Sequence, residues 1–277
     1  MRNKRTPISL IYKEMSFIPS ASTLRKGLLL YRRIRYRKGF GVHSPFVFGL
    51  ITKVIEEKCP YYSFFDIEVQ RKKLLLDNQN ITYHDKQNKD RLKTRTIAQI
   101  TKREAIKPKH GKLLFRLANY FKAEKILQIG GGTGLSTLYL TSYSHKIRCT
   151  VLDDRPELAN IAKKVFGWES RNNIDIRLGS YKETLPIALD DIGKPDLIFF
   201  NTQFEQQDNL WMFNECVKHV NDKSVFVFKG IKDNRNMRDM WREIKTHPDV
   251  RITLDLYSMG IVLFNKKLNR RDYKVFF

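Results

Sequence analysis

Four glycines, Gly130, Gly131, Gly132 and Gly134, stand between the apolar run Lys125-Ile-Leu-Gln-Ile and the segment Leu135-Ser-Thr. A chain that turns from strand to helix beneath a bound nucleoside must let its backbone approach closely and adopt φ/ψ values that side chains forbid, which is what glycine permits. The spacing separates possible ligands. A dinucleotide fingerprint starting at Gly130 needs a small residue at 135, which is Leu135, and one starting at Gly132 needs it at 137, which is Thr137. No Gly-Lys-Ser/Thr follows, so a Walker loop is excluded. What fits is G-x-G-x-G on Gly130, Gly132 and Gly134. Asp153 ends the next apolar run, nineteen residues beyond Gly134, and a carboxylate there can accept both hydroxyls of a ribose. The bland alternative is a tight turn, with Asp153 capping a helix that begins near Pro156.

These residues need a scaffold, and the pattern after Lys125 supplies one. Short apolar runs alternate with helical ones, the signature of βα units and a mostly parallel sheet. Seven strands are expected, at 125–129, 147–152, 174–178, 196–200, 224–228, 251–256 and 261–264. Helices are expected near 135–143, 156–166, 181–189, 205–219 and 237–246. No helix fits before Ile261, so the last two strands should form an antiparallel hairpin at one edge. Before residue 122 the signals are helical. Ser44 and Pro45 form an N-cap and N1 pair ahead of Phe46, Val47, Leu50, Ile51, Val54 and Ile55. Ser63 with Asp66 resembles a capping box, 77–93 reads as an exposed loop, and a helix is expected from about Lys112 to Tyr120. The division is a basic, mostly helical extension over 1–111 and an α/β domain over 112–277.

Of 277 residues, 52 are Lys or Arg and 29 Asp or Glu, a net charge of +23. Residues 1–43 carry +10 and residues 71–112 carry +9, whereas 113–228 are neutral. Basic flanks on a neutral core suit an acidic partner such as nucleic acid or an anionic surface, although no helix-turn-helix, zinc-finger or RNP signature appears. At 42% hydrophobic the chain can bury a sizeable core. No apolar run approaches the roughly 18 residues of a membrane span, and the first residues lack a secretory signal, so a cytoplasmic location is expected. Cys59, Cys149 and Cys216 have no zinc-site spacing and read as reduced core residues.

On Gly130, Gly132, Gly134 and Asp153 the chain resembles the class I S-adenosylmethionine-dependent methyltransferases, over roughly residues 112–265. The blocks Gly39-Phe-Gly-Val-His-Ser-Pro-Phe-Val-Phe and Trp241-Arg-Glu-Ile-Lys-Thr-His-Pro-Asp-Val are similar to a group of uncharacterised bacterial members. The resemblance implies a Rossmann-like fold with the cofactor across the carboxyl ends of the strands, and Gly179 and Ser180 where the family contacts adenine. It also exposes departures. Gln128 stands where the family has an acid facing the methionine end of the cofactor. Asn201, and then Lys229 and Gly230, stand where metal-dependent O-methyltransferases are acidic, which removes charge and adds a repelling cation. No metal is therefore expected.

Asn201-Thr-Gln-Phe204 shares its end spacing with the Asn-Pro-Pro-Phe/Tyr motif of amino-methyltransferases but lacks both prolines, so Asn201 is a weak catalytic candidate. His43 reads as a turn histidine, and His84, His110, His145, His219 and His247 have no companions at ligand or triad spacing. Trp168, Trp211 and Trp241 read as core or interface. The expected function is metal-independent methyl transfer from S-adenosylmethionine to an unknown acceptor, with the cofactor on Gln128, Gly130, Gly132, Gly134, Asp153 and Ser180. The alternative is a noncatalytic relative that binds nucleic acid or another acidic partner through its basic flanks. A third is a membrane-surface protein held by the segment from Arg25 to Lys38.

Overall fold

The computed structural model describes residues 21–84, 92–169, 173–202 and 206–277. In chain order, α1 (Ala21–Arg35), α2 (Pro45–Leu50) and α3 (Tyr62–Leu76) come first. The Ser44 hydroxyl accepts from the Val47 N–H at 3.4 Å and Pro45 opens α2, as their residue types require. Ser63 does not cap: α3 already starts at Tyr62, and Tyr61 is its N-cap with no side-chain bond. The segment read as an exposed loop holds an antiparallel ribbon, β1 (Asn80–His84) and β2 (Leu92–Thr96). Its sequence is mostly polar because, among the described residues, Tyr83 is its one fully buried side chain and Ile81 packs only partly against the core. A capping box, Thr96 with Gln99, then starts α4 (Ile97–Glu104). Helix α5 (Pro108–Phe121) begins a turn before Lys112, with Pro108 as its first residue.

The α/β half follows as β3 (Lys125–Ile129), α6 (Leu135–Thr141), β4 (Arg148–Asp153), α7 (Pro156–Trp168), β5 (Ile174–Leu178) and α8 (Tyr181–Ile192). It continues through β6 (Leu197–Phe200), α9 (Gln206–Val217), β7 (Val225–Lys229), α10 (Arg235–Thr246), β8 (Ile252–Asp255), β9 (Met259–Leu263) and β10 (Arg271–Lys274). The sheet has eight strands in the order β10-β8-β9-β7-β6-β3-β4-β5. All seven expected strands are present and β8 and β9 form the antiparallel hairpin. The hairpin is not the edge, however. The unforeseen β10 lies outside it, parallel to β8, and escapes a hydrophobic reading because Tyr273 is its one buried side chain.

Central strands are apolar on both faces because helices cover both. Ile126, Leu197, Phe199, Val225 and Val227 face one cluster, shared with Val47, Leu50, Ile67, Leu74 and Leu113 of the N-terminal helices. Leu127, Ile129, Phe200, Phe226 and Phe228 face a second, shared with α8, α9 and α10. Between α5 and α6 the packing is close enough that a Cβ on Gly111 would overlap the fully buried Tyr139 ring. The Tyr139 hydroxyl donates to Glu68 Oε1 of α3 at 2.6 Å. At the β10 edge, buried Arg32 of α1 pairs with Asp255 at 3.1 Å, and Lys232 reaches the other carboxylate oxygen at 2.8 Å. Burial pushes the Asp255 carboxyl up, but these two cations overcome it and hold the pKa below the usual range. No helix among the described residues is long and apolar enough to cross a membrane.

Candidate functional site

The loop from β3 to α6 carries the predicted glycines in left-handed backbone, with φ of 89° at Gly130, 58° at Gly132 and 83° at Gly134. An L side chain pays roughly 1–2 kcal/mol in that region, and space is short as well. A Cβ on Gly130 would lie 3.0 Å from Thr202 Cγ2 and 3.2 Å from the Asn201 carbonyl oxygen, and one on Gly134 would lie 2.8 Å from Phe166 Cε1. The loop is thus pressed between α7 and the end of β6.

Asp153 closes the loop from the β4 side. Its Oδ2 accepts from the Gly132 N–H at 2.8 Å and its Oδ1 from the Arg155 N–H at 3.0 Å. The side chain is 1% exposed. The Arg155 guanidinium stands 3.6 Å from Asp153 Oδ1 and donates to Glu104 Oε2 at 2.9 Å. Burial lowers the Arg155 pKa, but the Asp153 and Glu104 charges outweigh it and the net shift is upward. Gly179, with φ of 143°, donates its N–H to the Asp153 main-chain carbonyl at 3.2 Å, so the turn after β5 starts beside the end of β4. Ser180 beside it is exposed and is the N-cap of α8, its hydroxyl accepting from Lys182 N–H at 3.3 Å.

Two amides that look like separate departures in the sequence meet at one atom. Gln128 Nε2 donates to the Gly130 carbonyl at 2.8 Å, and Asn201 Nδ2 donates to the same oxygen at 2.9 Å. A carboxylate at either position could only repel that carbonyl, since it has no N–H to offer. Gln128 is completely buried; it also donates to Ser136 Oγ at 3.0 Å and accepts from the Thr137 hydroxyl at 3.0 Å, so its polar atoms are all engaged. Asn201 is not used up. Its Oδ1 is buried with no hydrogen-bond partner among the described residues, as are the hydroxyls of Thr202 and Thr133.

At the end of β7 the Lys229 ammonium donates to the Glu104 carbonyl at 2.9 Å, so the last residue of α4 spans the site, its side chain on Arg155 and its backbone on Lys229. The Gly230 N–H donates to Ser258 O at 2.7 Å, and Ser258 Oγ meets His110 Nε2 at 2.9 Å. Burial, then Lys109, Lys107 and Lys229, pull the His110 pKa down to about 4. Among the described residues no cluster of three or more His, Cys, Asp or Glu side chains stands ready for a metal ion. Phe204 lies outside the described residues. Glu104, Arg155, Thr133 and Thr202 are site residues that the sequence reading missed. Arg155 follows Asp153 by two positions, which is a usable signal, whereas Glu104 lies 51 residues from Arg155 and offers none.

No protein-family model matches the chain, and no curated protein sequence matches it. Solved structures do. The S-adenosylhomocysteine-bound methyltransferase PaMTH1 of Podospora anserina is similar with a TM-score of 0.55 at 11% identity, over 91% of this chain and 99% of its own. The O-methyltransferase TomG of Streptomyces achromogenes, solved with S-adenosylmethionine and involved in tomaymycin synthesis, gives 0.53 at 16% identity, over 79% and 95%. An O-methyltransferase of Bacillus cereus in complex with S-adenosylhomocysteine gives 0.51 at 17% identity, over 77% and 94%. With the strand order and the β8–β9 hairpin, the likeness establishes that this chain has the Rossmann-like fold of the class I methyltransferases.

Proposed function

We propose that the chain is a methyltransferase that binds S-adenosylmethionine on the β3–α6 loop and acts without a metal. The observation that carries this reading is the left-handed glycine loop closed on Asp153 beside three buried polar atoms that lack partners among the described residues, Asn201 Oδ1, Thr202 Oγ1 and Thr133 Oγ1. Buried polar groups are ordinarily satisfied, and a polar ligand seated on bare glycine backbone would satisfy these. The cofactor, when bound, supplies a sulfonium-activated methyl group, and transfer depends mainly on alignment with the acceptor.

The residues divide the work. Gly130, Gly132 and Gly134 leave backbone open to the ligand. Asp153 is the acceptor for ribose hydroxyls and shares that charge with Arg155. Ser180 and Gly179 border the adenine end. Gln128 works from behind, fixing the Gly130 carbonyl, while Asn201 fixes the same carbonyl and keeps its own oxygen for the ligand. An uncharged amide at 201 and a cation at 229 do not fit a divalent ion, which wants several hard anionic oxygens. The methyl acceptor, and any nucleic-acid partner of the basic flanks, are left unnamed by this reading.

A second reading, a noncatalytic protein of the same fold that binds an acidic partner, is favoured by one observation: both Asp153 oxygens are already engaged and the side chain is 1% exposed. Calorimetric titration with S-adenosylmethionine and S-adenosylhomocysteine separates the two. Micromolar binding of both, weakened at least tenfold by Asp153→Ala in a sample with unchanged circular dichroism, is the expected result. A folded protein that binds neither overturns the enzyme reading. Methyl transfer abolished by EDTA and restored by magnesium would overturn metal independence.

A further inference from the structure

Away from the glycine loop, a cavity of about 540 Å³ opens between the end of α1, the residues after α2, the outer face of α5 and the last residues of the chain. That volume lies within the range of roughly 300–1,000 Å³ usual for ligand pockets. Seven of its lining side chains are lysine or arginine, among them Arg33 and Arg37 from the α1 side and Lys109, Lys112 and Arg116 from α5, against two glutamates. None of the seven forms an ion pair among the described residues, and the two acids, which offset part of the positive charge, each already accept one hydrogen bond. Glu56 accepts from the Lys38 N–H at 2.6 Å, and Glu57 accepts from the Tyr61 hydroxyl at 2.8 Å.

Arg116 is the most telling member. It is only 7% exposed, one of its terminal nitrogens donates to the Ile55 carbonyl at 3.3 Å, and its Nε–H has no hydrogen-bond partner among the described residues. A buried guanidinium with an unused donor, in a pocket whose seven cations outnumber its two acids, calls for an anion. Burial, then Arg116, lower the Lys109 pKa, in keeping with crowded positive charge.

The surroundings favour one kind of anion. Leu30, Tyr31 and Ile34 of α1, and Phe40 just beyond it, are each more than half exposed. Leu30 and Ile34 are one turn apart on α1, and Arg33 and Arg37, from the same stretch of chain, line the pocket. Phe276 and Phe277 form an apolar wall. Outward apolar side chains next to cations is the pattern of a segment lying in a membrane interface. We propose that the pocket receives the phosphate head group of an anionic phospholipid, with Leu30, Tyr31, Ile34 and Phe40 entering the lipid surface. This does not depend on the methyltransferase reading.

Flotation of the full chain with vesicles of phosphatidylcholine, with and without phosphatidylglycerol, tests it. Recovery with the anionic vesicles only is expected, reduced at least tenfold by Arg33→Glu/Arg37→Glu and severalfold by Leu30→Ser/Ile34→Ser. The matched control Lys163→Glu/Lys164→Glu, the same change of charge on the exposed face of α7, is expected to bind as the parent does. Equal loss in the control would reduce the effect to net charge and overturn the pocket. Equal recovery on neutral vesicles would do the same. Tight binding of inorganic phosphate or duplex RNA that Arg33→Glu/Arg37→Glu abolishes, with no vesicle recovery, would overturn the lipid as occupant.

Discussion

The two sides of the glycine loop are built on opposite terms. On the β3/β4 side the two central polar side chains are spoken for: Gln128 has three partners, and Asp153 holds a loop N–H and Arg155. On the β6/β7 side Asn201, Thr202 and the neighbouring Thr133 keep atoms unpaired, and a half-buried lysine rests on a backbone carbonyl. The first side resembles a finished mould, and the second keeps polar atoms without partners among the described residues. Stability should reside in the former and turnover in the latter.

Gln128→Glu attacks the mould most directly. It aims a carboxylate at the Gly130 carbonyl in a fully buried position, and should cost about 3–4 kcal/mol in urea denaturation. A cost below about 1 kcal/mol would mean that the amide is not the brace described. Gly130→Ala follows, at about 2 kcal/mol, from its left-handed backbone and the 3.0 Å approach to Thr202. Calorimetry of the same variant should show S-adenosylhomocysteine binding lost.

The open side gives smaller effects on stability. His110 is neutral in the fold down to about pH 4, against 6.5 for the free side chain. The unfolded chain therefore takes up the proton first as pH falls. Stability is full above about 6.5, declines as pH drops towards 4, and levels off below. After discounting for partial exposure the loss is about 2 kcal/mol, and His110→Gln should flatten that part of the pH profile. Asn201→Ala should be mildest for the fold, about 1 kcal/mol, yet should lower kcat at least tenfold. A variant with intact kcat and a large loss of stability would move Asn201 to the braced side and erase the contrast.

How much of this could be read in advance depended on whether the signal was local. The glycine spacing, Asp153 and the strands rich in Ile, Leu, Val and Phe were legible because each is dictated by neighbours in the chain. The β1–β2 ribbon and β10 were not, since each fully buries one tyrosine and is otherwise mostly polar, too little to make an apolar run. The capping box Thr96 and Gln99 is a local signal, three residues apart, for the start of α4. Gln128 and Asn201 are the instructive case. Read singly, each is a lost acid; in the fold they share the Gly130 carbonyl, which is 71 residues from Asn201. The meaning of each depends on the other, and nothing in either's local sequence says so.

Gly111 and Tyr139 carry a similar dependence into heredity. The ring occupies the place where any other residue at 111 would put its first carbon, and the hydroxyl reaches across to Glu68. A lineage that drifts to alanine at 111 must first trade the tyrosine for something smaller, and in doing so leaves the glutamate with Arg71 alone as partner. Two positions on two helices are thereby bound to change together, and a library randomised at 111 and 139 should return them as a pair.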